Sequence, residues 1–107
     1  MIVRGSAGDR VGSLMKGGTV IVGGSAGIMT GLYMMGGEIL VLGKLGDYAG
    51  ESIIGGQIIF SGDTPRLGKN AKVVDLDVDE EERVRRRLSY GFVHVPSTEC
   101  RRVLRLG

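Results

Sequence analysis

One cysteine, one histidine, two prolines and no tryptophan leave this 107-residue chain short of the residues that most often carry chemistry or lock a small fold. A lone Cys100 cannot close an internal disulfide, so the sequence predicts a protein of the reducing cytoplasm. One Cys and one His are too few to build a metal site between them. No apolar run approaches the roughly 20 residues needed to cross a bilayer. Nothing near Met1 reads as a charged leader followed by an apolar stretch, and no membrane partner is expected. Aromatic residues are only 5 % of the chain, and 14 basic against 12 acidic residues give a net charge of +2. That is too weak a global field to argue for nucleic acid. Arg83, Arg85, Arg86, Arg87, Arg101, Arg102 and Arg105 do cluster near the C-terminus, but the acidic run Asp75 to Glu82 adjoins them. A solvated amphipathic helix accounts for this contrast better than an RNA contact.

Glycine is what the chain has in excess: 20 residues, against a typical share of about 7 %. They are not collagen-like, because no triplet period is present. They are not disordered filler either, since apolar residues make up 42 % and arrive in blocks such as Thr19 to Val22 and Glu38 to Leu42. Gly8-Asp-Arg-Val-Gly12, Gly27-Ile-Met-Thr-Gly31 and Gly46-Asp-Tyr-Ala-Gly50 align, each 19 residues after the last. The doublets Gly17-Gly18, Gly36-Gly37 and Gly55-Gly56 keep the same register, as do Gly5, Gly24, Gly43 and Gly62.

Apolar residues follow the same period. Val20, Ile39 and Ile58 form one column, Val22, Val41 and Phe60 a second, and Met15, Met34 and Ile53 a third; these are the expected inward positions. Each repeat reads as one β-branched strand bounded by glycines, with a shorter extended piece around Val11, Thr30 or Ala49. Such a unit cannot bury its apolar face alone, and stacking equivalent units pairs each strand with the next. The spacing therefore predicts an all-β core, a short single-stranded parallel β-helix of about three coils over residues 1–70. A helical reading fails because recurrent glycines each cost about 1 kcal/mol in a helix interior. The predicted corners are Gly8, Gly12, Gly17, Gly18, Gly27, Gly31, Gly36, Gly37, Gly46, Gly50, Gly55 and Gly56. Alternation sends Ile2, Ile21, Leu40 and Ile59 outward as an apolar stripe. Either a C-terminal helix folds back over that stripe or it is a subunit interface. Open strand edges at the coil ends favour partners, including self-association of the isolated chain.

Residues 71–107 read as a small α/β tail of strand, helix and strand, packing on the repeats or extending from them. Ala71 to Leu76 is a strand candidate. Asp79 is the expected N-cap of the helix that follows, with Glu80 to Glu82 at its positive end, Arg83 to Arg87 at its negative end and Gly91 as its stop. Val84 and Leu88 give it a narrow apolar side. Phe92 to Val95 suggests a short strand, and Ser97 to Leu106 one or two helical turns.

The chemistry on offer is thin. His94 and Cys100 could pair as base and nucleophile, but no third group orients them, and a structural histidine beside an inert thiol is the better reading. Gly23-Gly-Ser-Ala-Gly27 resembles a phosphate cradle without the helix that should follow. Gly62 to Lys69 misses the P-loop spacing by one residue. Asp9 and Asp47 suggest calcium corners, yet Ile28 replaces the ligand in the middle copy. No catalytic, cofactor-binding or metal-binding residue is predicted.

The pattern Gly8-x-x-x-Gly12-x-x-x-x-Gly17-Gly18, with its two copies, resembles the glycine-repeat (GXGXG) domain at the C-terminus of the glutamate synthase large subunit. A similar domain forms a stand-alone archaeal glutamate synthase subunit, and another makes up one of the subunits of formylmethanofuran dehydrogenase. The segment Leu67-Gly-Lys-Asn-Ala-Lys-Val-Val and Tyr90-Gly91-Phe92 resemble the stand-alone form. The resemblance implies a right-handed β-helix and a non-catalytic scaffold within an amidotransferase or C1 oxidoreductase complex. Glutamine, flavin and iron-sulfur chemistry would then reside in other subunits, with no cofactor in this chain.

Overall fold

A computed structural model describes residues 1–61, 63–75, 77–91 and 102–107. The β-branched blocks of the repeats form strands β1 (Ile2–Val3), β2 (Thr19–Val22), β3 (Glu38–Val41) and β4 (Gln57–Phe60). These pair in parallel in the order of the chain. Ile2 lies opposite Ile21, Val20 opposite Ile39, and Ile39 opposite Ile58. The tail adds β5 (Ala71–Asp75), helix α1 (Val78–Gly91) and β6 (Arg102–Leu106).

The expected β-helix with an appended tail is overturned by the sheet these strands make. It is one six-stranded mixed sheet in the order β1-β2-β3-β4-β6-β5. The last strand, β6, runs antiparallel between β4 and β5. A β-helix needs each repeat to supply further strands that stack into separate sheets. Here, among the described residues, pairing outside the strands is limited to the single bridges Ala26 to Leu45 and Ala49 to Leu67. The cause is local backbone geometry. Arg10, Gly12 and Leu14, with their equivalents in the next two repeats, all take positive φ, which coils the chain into turns where a strand was expected. The result is compact, 34 × 27 × 25 Å along its principal axes.

Strands β2 to β4 each bury their last three residues, because both faces of the sheet are covered. On one face Val20, Val22, Met34, Ile39, Val41, Ile53, Ile58 and Phe60 pack with Leu104 from β6, in line with the predicted inward columns; Met15 is partly buried against them. On the other, Ile21, Leu40 and Ile59 cluster with Leu42 and Val103, with Val74 packed against them. The 102–106 segment, expected to be helical, is thus a strand whose adjacent apolar residues serve the two faces. Residues 92–95 and 97–101 of the predicted strand and turn, His94 and Cys100 among them, lie outside the described residues.

Helix α1 begins earlier than Asp79 implies. Asp77, not Asp79, is the N-cap: its Oδ1 accepts the Glu80 N–H at 2.8 Å, and its backbone carbonyl accepts the Glu81 N–H at 3.0 Å. The arginines of 83–87 fall mid-helix, and the last turn carries no basic residue. Glu80 also faces Arg105 of β6 at 3.8 Å, a partly exposed pair of modest worth. Replacing Asp77 by Ala should cost α1 about 1 kcal/mol, read as faster amide exchange in its first two turns, whereas Asp79→Ala should leave that exchange unchanged.

Candidate functional site

The glycine columns solve two different problems. Gly18, Gly37 and Gly56 sit at φ of 83°, 89° and 84°, a region that excludes most side chains. Gly24, Gly27 and Gly36, with Gly43, Gly46 and Gly55 one repeat later, instead let backbones touch. A Cβ on Gly46 would lie 2.5 Å from the Gly27 carbonyl carbon and oxygen, and one on Gly36 would lie 2.5 Å from the Lys16 oxygen. Between these corners, side-chain oxygens stitch each repeat to the next. Ser6 Oγ accepts the Ser25 N–H at 3.0 Å, and Ser25 Oγ accepts the Lys44 N–H at 2.9 Å. Asp9 Oδ1 takes the Ile28 N–H at 3.0 Å, and Asp47 Oδ1 the Arg66 N–H at 3.1 Å.

Those bonds assign the two motifs that suggested ligands. Asp9 and Asp47 are committed to backbone N–H groups of the neighbouring repeat. Every N–H from Gly23 to Gly27 donates within the chain, to Val3, Gly5, Ser6, Lys44 and Gly8 in turn, so the loop offers no phosphate cradle. Among the described residues, no group of three or more His, Cys, Asp or Glu is placed to hold a metal ion.

Of the apolar stripe offered as an interface, Ile21, Leu40 and Ile59 are buried beneath the chain's own residues, and only Ile2 is exposed. The alternative cover, Val84 and Leu88 of the helix, falls on side chains outside those described. Exposed apolar side chains recur on the turn segments of the repeats: Leu14, Ile28, Tyr33, Met35, Tyr48 and Ile54 are between 39 % and 58 % exposed. Leu14, Tyr33 and Tyr48 hold φ of 60°, 54° and 61°, a conformation that costs a non-glycine residue on the order of 1 kcal/mol. Sequence reasoning passed over these positions because, in the turns, it followed only the inward column of Met15, Met34 and Ile53. The signal was present in Leu14-Met15, Tyr33-Met34-Met35 and Ile53-Ile54, where each turn carries more apolar residues than the single inward position of the Met15, Met34 and Ile53 column can use.

A mixed sheet of 19-residue glycine repeats, with apolar side chains of the turns exposed to solvent, defines a glycine-repeat protein. The chain belongs to the GXGXG motif family, whose model matches residues 1–100. This agrees with the likeness to the glutamate synthase glycine-repeat domain. No curated protein and no solved structure matches the chain. No helix among the described residues is long and apolar enough to cross a membrane.

Proposed function

We propose that this chain is a non-catalytic scaffold subunit that docks onto the catalytic subunits of a glutamate synthase-like amidotransferase and oxidoreductase complex. The observation that carries the reading is the turn surface. Large apolar residues recur there in successive repeats, several at a backbone cost that glycine would avoid, which is the pattern of side chains kept for contact. The class of partner rests on the resemblance to the glutamate synthase glycine-repeat domain, with which membership of the GXGXG motif family agrees. Catalysis and cofactors belong, in this reading, to the partner subunits.

The test is co-purification of the tagged chain with glutamate synthase-like catalytic subunits of its host. Ile28 and Ile54 are exposed and lie outside the left-handed backbone region, so Ile28→Lys with Ile54→Lys should leave the thermal melt nearly unchanged. The same pair should lower recovery of partner subunits by about tenfold or more. Undiminished recovery, or glutaminase turnover by the purified chain alone, would overturn the proposal. Recovery of molybdenum- or tungsten-containing subunits in their place would move the chain to a formylmethanofuran dehydrogenase-like complex.

A further inference from the structure

Strand β1 ends the sheet, next to β2 of the second repeat. The glycines of these two repeats are the informative feature. Gly24, Gly27 and Gly36 lie against the first repeat so closely that an added Cβ would come within 2.9 Å of Ser6 N, 3.1 Å of Asp9 Cα and 2.5 Å of Lys16 O. Their equivalents Gly5, Gly8 and Gly17 have no atom within 4 Å of that position, and none has positive φ. Nothing among the described residues uses the missing side chain at these three places. A backbone laid on that face would.

The hydrogen-bonding groups tell the same story. Gly24, Ser25, Gly27 and Ile28 donate their N–H groups back to the first repeat. The Ser25, Ile28 and Leu32 carbonyls accept from it. The equivalent N–H groups of Gly5, Ser6, Gly8 and Asp9, and the carbonyls of Ser6, Asp9 and Ser13, meet no partner among the described residues. The edge therefore offers donors and acceptors together, beside the exposed apolar side chains of Met1 and Ile2.

We propose that this face binds the same face of a second copy of the chain, with β1 paired antiparallel to its counterpart about a two-fold axis. An edge that carries both donors and acceptors is self-complementary, and a two-fold contact satisfies both copies at once and closes. The other end of the sheet does not compete, because β5 exposes Lys72 and Asp75, the kind of charge that guards an edge from pairing. This pairing is independent of the docking surface on the turns.

Sedimentation and light scattering of the full chain, from micromolar to sub-millimolar concentration, give the test. The wild-type chain should pass from monomer to dimer. Gly8→Val with Gly17→Val should melt like the wild type, since both side chains enter open space, yet weaken the dimer by about tenfold or more. Arg10 and Lys16 outnumber Asp9 in the first repeat, so added salt should tighten the dimer by screening like charges. Should the double variant fail to fold, Ile2→Lys gives the same reading at an exposed position. A chain monomeric throughout the range, a dimer indifferent to these substitutions, or one loosened by salt would overturn the pairing.

Discussion

Gly46→Ala should destabilise the protein by about 3 kcal/mol, at the upper end of what overpacking costs, while Gly8→Ala at the equivalent place in the first repeat should stay within about 0.5 kcal/mol of wild type. The two positions share one repeat register and one substitution, so helix or strand propensity cannot separate them. What separates them is the neighbour. A methyl group on Gly46 would stand 2.5 Å from the Gly27 carbonyl, which accepts from Thr30 Oγ1, and 2.9 Å from the Ile28 nitrogen, which donates to Asp9 Oδ1, while Gly46 N–H itself is held by the Ala26 carbonyl. No rotamer can relieve that overlap, so two repeats must move apart and lose their shared hydrogen bonds. The same methyl on Gly8 meets nothing within 4 Å. Urea melts of the two variants beside wild type would read the difference. Equal stabilities would mean that the repeats are not in backbone contact at this column, and the account of the glycine columns would fall with it.

Much of the repeat region was legible because its determinants are periodic. The 19-residue spacing led to the pairing of Val20 with Ile39 and Ile39 with Ile58, since a slip of one residue would exchange the two apolar sets between faces. It could not reveal how the chain travels between strands. Arg10, Leu14, Met29 and Tyr33 take the left-handed conformation despite carrying side chains, against their own propensity, and their turns replaced the further strands a β-helix requires. The helix start was ambiguous for a simpler reason: Asp77 with Glu80 and Asp79 with Glu82 have identical capping-box spacing, and only the Asp77 Oδ1 to Glu80 N–H bond decides between them. At the candidate site, the stripe of Ile21, Leu40 and Ile59 was recognisable as a second apolar face. What extends it, Val103 opposite Ile59, comes from a strand more than forty residues further along the chain, and no local pattern announces that partner.

Leu104→Ala should cost about 2–5 kcal/mol, as large a loss as any single truncation within the repeats themselves. Leu104 is fully buried in the same cluster as Ile58 and Phe60, opposite Ile58 across the β4–β6 pair and opposite Val73 across the β5–β6 pair. Its Cδ2 atom fills the space beside Gly50, the place that Ile39 fills beside Gly12 and Ile58 beside Gly31 in the earlier repeats. Leu104 thus continues the Ile39 and Ile58 series from outside the repeat, reaching the same slot on a strand that runs the opposite way. Had the helical turns expected for Ser97 to Leu106 formed with Leu104 on an exposed side, truncating Leu104 would change stability by no more than about 0.5 kcal/mol. The neighbouring Leu106 is 46 % exposed at the end of the same strand and supplies the internal control. Chemical denaturation of Leu104→Ala beside Leu106→Ala should show a large loss for the first and a small one for the second, because only Leu104 closes the last position of the glycine-lined core.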